Sequence, residues 1–235
     1  MANRISVNKP SSTAPSTRGK ETREALMRAV EQLAAEKGLA YISIREILSK
    51  ANQKNESALQ YHFGNLAGLI DTLRQSRFTE VVNERTDQLA RLLASTDQPS
   101  LRQLCAVMVM PPFQIAKQSP DFRRYIRAFG HELTQADDET LKHYNRNLGP
   151  SARETGHLLR LALPHLEASV FDVRMNYALR LATSAMVDQA KQPRAFQGKA
   201  GELFIESLID AIQALLQAPV SPETQAAFEA VRRKN

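Results

Sequence analysis

Residues 22–70 read TREALMRAVEQLAAEKGLAYISIREILSKANQKNESALQYHFGNLAGLI. Leu26, Ala29, Val30 and Leu33 recur there at the spacing of one helix face. Gly38 follows as a stop, because glycine takes a left-handed helix end at no steric cost. Ser43 and Glu46 have the spacing of a capping box, in which each side chain serves the other's backbone amide. Ile44, Ile47 and Leu48 then face inward from a short second helix. The segment 51–54 reads as a turn, since Asn52 is a residue type that tolerates positive φ. Asn55 suits the N-cap of a third helix over about 56–63. Ala58, Leu59 and Phe63 point that helix inward and leave Glu56, Ser57, Gln60 and Tyr61 outside. Asn65 caps a fourth, long helix carrying Leu69, Ile70, Leu73 and Phe78. Two short helices about a tight turn form a device for laying one of them in the major groove of DNA.

The stretch resembles the DNA-binding domain of the TetR family of bacterial one-component regulators. The matching residues are Thr22-Arg23-Glu24, Glu36-Lys37-Gly38, Ser43-Ile44-Arg45-Glu46-Ile47, Ala51 and Tyr61-His62-Phe63-Gly64-Asn65. Several positions depart from the family pattern. Asn52 replaces the usual glycine of a turn that is also one residue longer, and Gln60 stands where tyrosine is common. Leu66 and Ala67 replace a lysine and an acid at the start of the fourth helix. The lost lysine removes a phosphate contact, which lowers affinity and its salt dependence. Gln60 can read adenine through two hydrogen bonds, which tyrosine cannot.

By that resemblance, Ser57 and Gln60 meet base edges. Ser43, Arg45, Lys54, Tyr61 and His62 meet phosphates or the groove wall, with Asn55 beside them at the helix start. Phosphate contacts position such a protein, and base contacts specify its site. Glu56 serves the positive helix N-terminus rather than a cytosine amine.

Composition agrees with a polyanionic partner. The 235 residues carry a net charge of +6. Residues 1–20 hold Arg4, Lys9, Arg18 and Lys20 with no acid, among prolines, serines and threonines, and read as a disordered basic arm. No apolar run reaches the roughly 20 residues that cross a bilayer, and no secretory leader is expected, so the chain reads as cytoplasmic. The single cysteine, Cys105, excludes an internal disulfide framework. Its apolar neighbours favour an inert buried thiol over a redox sensor tuned by Arg102.

The remainder is helical throughout. A long helix to about 94 precedes one from about 100 to 110, which Pro111-Pro112 should break or kink. Ser119-Pro120-Asp121 opens another, with Gly130 loosening its later part. Further helices are expected over about 139–148, 151–163, 167–189 and 201–217, with a short one in the tail. The expected fold is all-α. A basic arm (1–20) precedes a three-helix helix-turn-helix domain (21–66), a larger ligand-binding and dimerisation domain (67–218) and a tail (219–235).

The helix over 167–189 has one apolar side and that over 201–217 a wide apolar arc, wider than one core needs, and the family pairs them into a four-helix bundle between two subunits. A two-fold homodimer then presents two recognition helices about one DNA turn apart, ~34 Å. In the family a pocket in the larger domain binds an effector. Met108, Phe113, Phe122, Tyr125 and Phe129 are candidate lining, with Tyr144 and His157 as polar handles. The expected function is repression from a palindromic operator, relieved by a small apolar ligand. The alternatives are a helical protein–protein adaptor without specific DNA binding and a helical enzyme. No P-loop, Gly-rich dinucleotide turn, GxSxG or HExxH motif occurs, and His131, His143, His157 and His165 lack metal-ligand spacing. Neither catalytic residues, metal nor cofactor are therefore expected.

Overall fold

The computed structural model describes residues 17–135 and 149–233. Its helices are α1 (Thr17–Lys37), α2 (Ile44–Lys50), α3 (Ser57–Phe63), α4 (Leu66–Ser95) and α5 (Leu101–Gln118). They continue with α6 (Pro120–Gln135), α7 (Pro150–Ala162), α8 (Ala168–Ala190), α9 (Gly198–Gln217) and α10 (Pro222–Arg232). No strand occurs among the described residues. The first helix starts inside the stretch assigned to the arm, since residues 17–20 already belong to α1. The helix expected over 139–148, with Tyr144, lies outside the described residues.

Local signals set the head. Gly38 takes φ +89° and leads into a short 3-10 turn, Leu39–Tyr41. The Ser43 hydroxyl accepts from the Glu46 amide at 3.3 Å, and the Glu46 carboxylate accepts from the Ser43 amide at 3.0 Å, so the capping box is complete. Lys37 adds a 2.6 Å ion pair to Glu46. Hydrogen bonds from Lys37 and Ser43 hold the Glu46 carboxyl down at about 2, against an ordinary 4.5. Glu46 therefore favours the folded state fully above pH 4.5, and its contribution fades as pH falls toward 2. Acid titration of α2 helicity in wild type and Glu46→Gln should show this. The variant's curve is expected to be flatter across that window, and superimposable curves would refute the linkage.

Asn52 adopts φ +54°, which explains how asparagine serves in a turn where glycine is usual. Asn55 Oδ1 accepts from the Ser57 amide at 2.9 Å, and Asn65 Oδ1 from the Gly68 amide at 2.8 Å. Leu26, Val30, Ile47, Leu59, Leu69 and Leu73 close a small core around these three short elements and the start of α4. Phe129 of α6 joins the same cluster. The helix α4 runs from the head into the body without a break, and α6 inserts the Phe129 ring from the other side.

The body corrects three expectations. The Pro111-Pro112 pair does not end a helix; α5 continues to Gln118 with both prolines inside. An interior proline costs about 3 kcal/mol or more. Leu104, Cys105 and Val109 before the pair, and Phe113 and Ala116 after it, all enter one core. Each large side chain there gains about 1.5–3 kcal/mol on burial, which outweighs the penalty. The prolines leave the carbonyls of Val107 and Met108 without their usual helical donors.

Gly130 does not loosen α6. A Cβ placed there would lie 2.2 Å from Val187 Cγ2, so glycine lets α6 approach α8 closely. Gly130→Ala should destabilise the fold by about 1–3 kcal/mol through overpacking, despite a helix-propensity gain of about 1 kcal/mol. Val187→Ala in the same chain should recover most of the loss. Urea unfolding of the single and double variants reads this directly, and an unchanged midpoint for Gly130→Ala would contradict the close approach.

The apolar arc of α9 is largely used within the chain. Ile205, Leu208, Ile209, Ile212 and Leu216 are buried against α5 and α8. What stays outside is narrower: Tyr177 (59 %) and Leu181 on α8, and Leu203 (70 %) on α9. Small exposed residues, Ser184, Ser207, Ala211 and Ala214, accompany them. Cys105 is buried, and burial pushes its thiol up to about 12, with the Arg102 charge opposing only in part. That is the inert form of the two anticipated.

Candidate functional site: the outer face of α3 and the cavity behind it

Leu59 anchors α3 in the head core and turns the opposite face outward. Ser57, Gln60 and Tyr61 are exposed there, and Tyr61 leaves 85 % of its surface open. His62 is half-buried, edge-on to Tyr61 with ring centroids 4.9 Å apart. Arg45 and Lys54 are exposed and carry no ion pair or hydrogen bond among the described residues, in contrast to Lys37 and Lys50, which pair with Glu46 and Glu36. Ser43 and Asn55 are also exposed, but both are committed in part to capping. The Ser43 hydroxyl serves the capping box, and Asn55 Oδ1 serves the Ser57 amide. The sequence reading omitted Tyr41, which is 75 % exposed two residues before Ser43. Its signal was an aromatic residue between a glycine stop and a cap, outside any apolar period.

Behind the head lies a cavity of about 640 Å³ lined by α4, α5, α6, α7 and α8. Met108, Phe122, Tyr125 and Phe129 line it, as do Phe78, Val81, Leu159, Met175 and Met186. Two expected lining residues lie elsewhere. Phe113 points to the far side of α5, where it packs against Phe196 and Phe204 at centroid distances of 5.8 and 6.4 Å. His157 sits on the exposed side of α7, while Thr155, Gly156 and Leu159 of that helix face the cavity. Arg85, buried in the wall, was missed. It interrupts the helical row Phe78, Val81, Leu89, and a charge inside an apolar row was the available signal.

The cavity and the head share structural parts. Arg77 lines the cavity and donates to both oxygens of Glu31 on α1, at 2.6 and 2.9 Å. Arg74 donates to both oxygens of Glu132 on α6, at 3.1 and 2.6 Å, and lies 5.7 Å over the Phe129 ring. Tyr125 and Phe129 stack at 4.9 Å, with Phe129 reaching into the head core. Arg127 holds the Ala35 carbonyl near the end of α1 at 2.5 Å. Burial raises the Glu31 carboxyl above its ordinary value, opposed by the hydrogen bonds and charge of Arg77.

The helix-turn-helix head is thus carried on a continuous helix that also walls a cavity in the larger helical domain. Residues 106–218 match the family described as tetracyclin repressor-like, C-terminal domain. That match over the larger domain supports the resemblance of the N-terminal head to the TetR family. No curated protein matches it. No single helix among the described residues is long and apolar enough to cross a membrane.

Proposed function

We propose that this protein is a homodimeric repressor that binds a palindromic operator through α3 and is released by a small, largely apolar ligand. One observation carries the reading: α4 begins at the Asn65 cap directly after α3 and supplies Arg74, Arg77, Phe78, Val81 and Arg85 to the cavity wall. A ligand that fits the cavity in only one head orientation shifts the equilibrium by its difference in affinity between the two. The mostly apolar lining, rich in methionine and aromatic residues, suits a hydrophobic body, with polar contact supplied by arginine and threonine side chains. Tyr177, Leu181 and Leu203 with their small neighbours offer the dimer face, which makes it narrower than the sequence pattern suggested. Gln60 and Ser57 read bases, while Arg45, Lys54, Tyr61 and His62 hold the backbone.

The test is selection of bound sequences from a random duplex pool, followed by a salt titration on the winner. An enriched inverted repeat whose affinity falls steeply with salt is the expected result. Folded, dimeric protein that enriches nothing would sink the proposal.

A further inference from the structure

The polar side of α6 borders a second concavity, of about 250 Å³, with arginine walls. Arg123, Arg124 and Arg127 rise from α6, and Arg194 reaches in from the loop between α8 and α9. Pro120, the first residue of α6, and Gln197, the N-cap of α9, complete the lining, so two helix N-termini open on it. Each brings partial positive charge.

The way these arginines are held sets them apart from others in the chain. Arg74, Arg77 and Arg102 each bind two carboxylates. In this groove Arg123 is held by the Ala116 carbonyl at 2.7 Å and Arg127 by the Ala35 carbonyl at 2.5 Å. Neutral acceptors orient a guanidinium without cancelling its charge. Asp121 pairs with Arg124 and is the one carboxylate touching the four among the described residues. Glu31 feels the Arg124 charge but is bound to Arg77. Arg124 Nε is buried with no acceptor, and the Arg194 guanidinium has no hydrogen-bond or ion-pair partner among the described residues. The loop that carries Arg194 is anchored directly after it, where Ala195 and Phe196 are buried in the core. Four guanidinium forks with one counter-charge, converging on a concave site, repel one another until an anion enters.

We propose that this groove is a binding site for the diphosphate group of a small soluble molecule, separate from the apolar cavity. Guanidinium forks match phosphate oxygens in pairs, and the partial positive charge of two helix N-termini adds to theirs. Arg127 links the site to the last turn of α1, so occupancy acts on the head through that bond.

The experiment is calorimetric titration of the full-length protein with inorganic pyrophosphate at near-physiological salt. Saturable binding at one site per chain is expected. Arg123→Ala and Arg194→Ala should each weaken it about tenfold, the loss of one charge-assisted contact. Arg153→Ala, an equal change of charge on exposed α7, should leave it unchanged. Circular dichroism of each variant establishes that it is folded. No saturable heat, or equal weakening by all three substitutions, overturns the site. Citrate binding more tightly than pyrophosphate overturns the diphosphate assignment. If Arg194→Ala weakens binding to a random DNA duplex while pyrophosphate gives no heat, the groove seats DNA backbone instead and the proposal is wrong.

Discussion

Arg77→Ala is expected to cost about 3–5 kcal/mol of folding stability, the usual consequence of removing one partner from a buried ion pair. The Glu31 side chain is fully buried, and Arg77 is 13 % exposed. Both Glu31 oxygens accept from Arg77, and a third Arg77 bond at 2.7 Å goes to Glu80. Without Arg77 the carboxylate keeps its desolvation cost and loses its compensation. Its pKa then rises further above the ordinary 4.5, so the penalty grows as pH climbs above that value. The variant should therefore recover much of its deficit on acidification, where Glu31 is protonated in both states. Replacing both partners by apolar residues, Glu31→Leu with Arg77→Met, should cost far less than the single change, because no orphaned charge remains. Urea unfolding at neutral pH and near pH 3 resolves all three claims. A single variant as stable as wild type would show that the pair contributes little.

The second large effect concerns selectivity. Gln60→Ala should remove about 1–3 kcal/mol of discrimination at one base pair in each half-site. Its affinity for scrambled duplex and its salt slope should stay as in wild type, since a neutral amide releases no counterion. Lys54→Ala should do the reverse, weakening all duplexes alike and flattening the salt slope by about one unit per subunit. Lys54 is exposed and has no counter-charge among the described residues, so its loss leaves the fold intact. Leu66→Lys should steepen the slope by supplying a cation at the start of α4. Binding isotherms on matched, single-mismatch and scrambled duplexes across a salt series separate these outcomes. A Gln60→Ala protein that still discriminates the same bases would remove α3 from the readout.

The head was legible because its determinants are local. The Ser43–Glu46 box, the Asn65 cap and the positive φ of Asn52 are written within four residues of where they act. Cavity membership is not local. Phe113 and Phe122 look alike in sequence, but Phe113 meets Phe196 and Phe204 while Phe122 meets Tyr125 at the cavity. That choice depends on which helix packs opposite. The passage of α5 through two prolines has the same origin, since only the surrounding core can outweigh two lost donors. The width of the α9 arc misled because α5 and α8 cover most of it from within the chain.

The unbroken run of α4 has a mechanical consequence. From Arg85 in the cavity wall to Leu66 at the head is 19 residues, a lever arm of ~28 Å at 1.5 Å per residue. A swing of about 10° about the cavity end carries the head end by about 5 Å, more than the ~3.4 Å rise of one base-pair step. Under the proposed function, such a swing shifts a head by more than one step of register on the duplex, and two such arms in the proposed dimer would move their heads out of phase together.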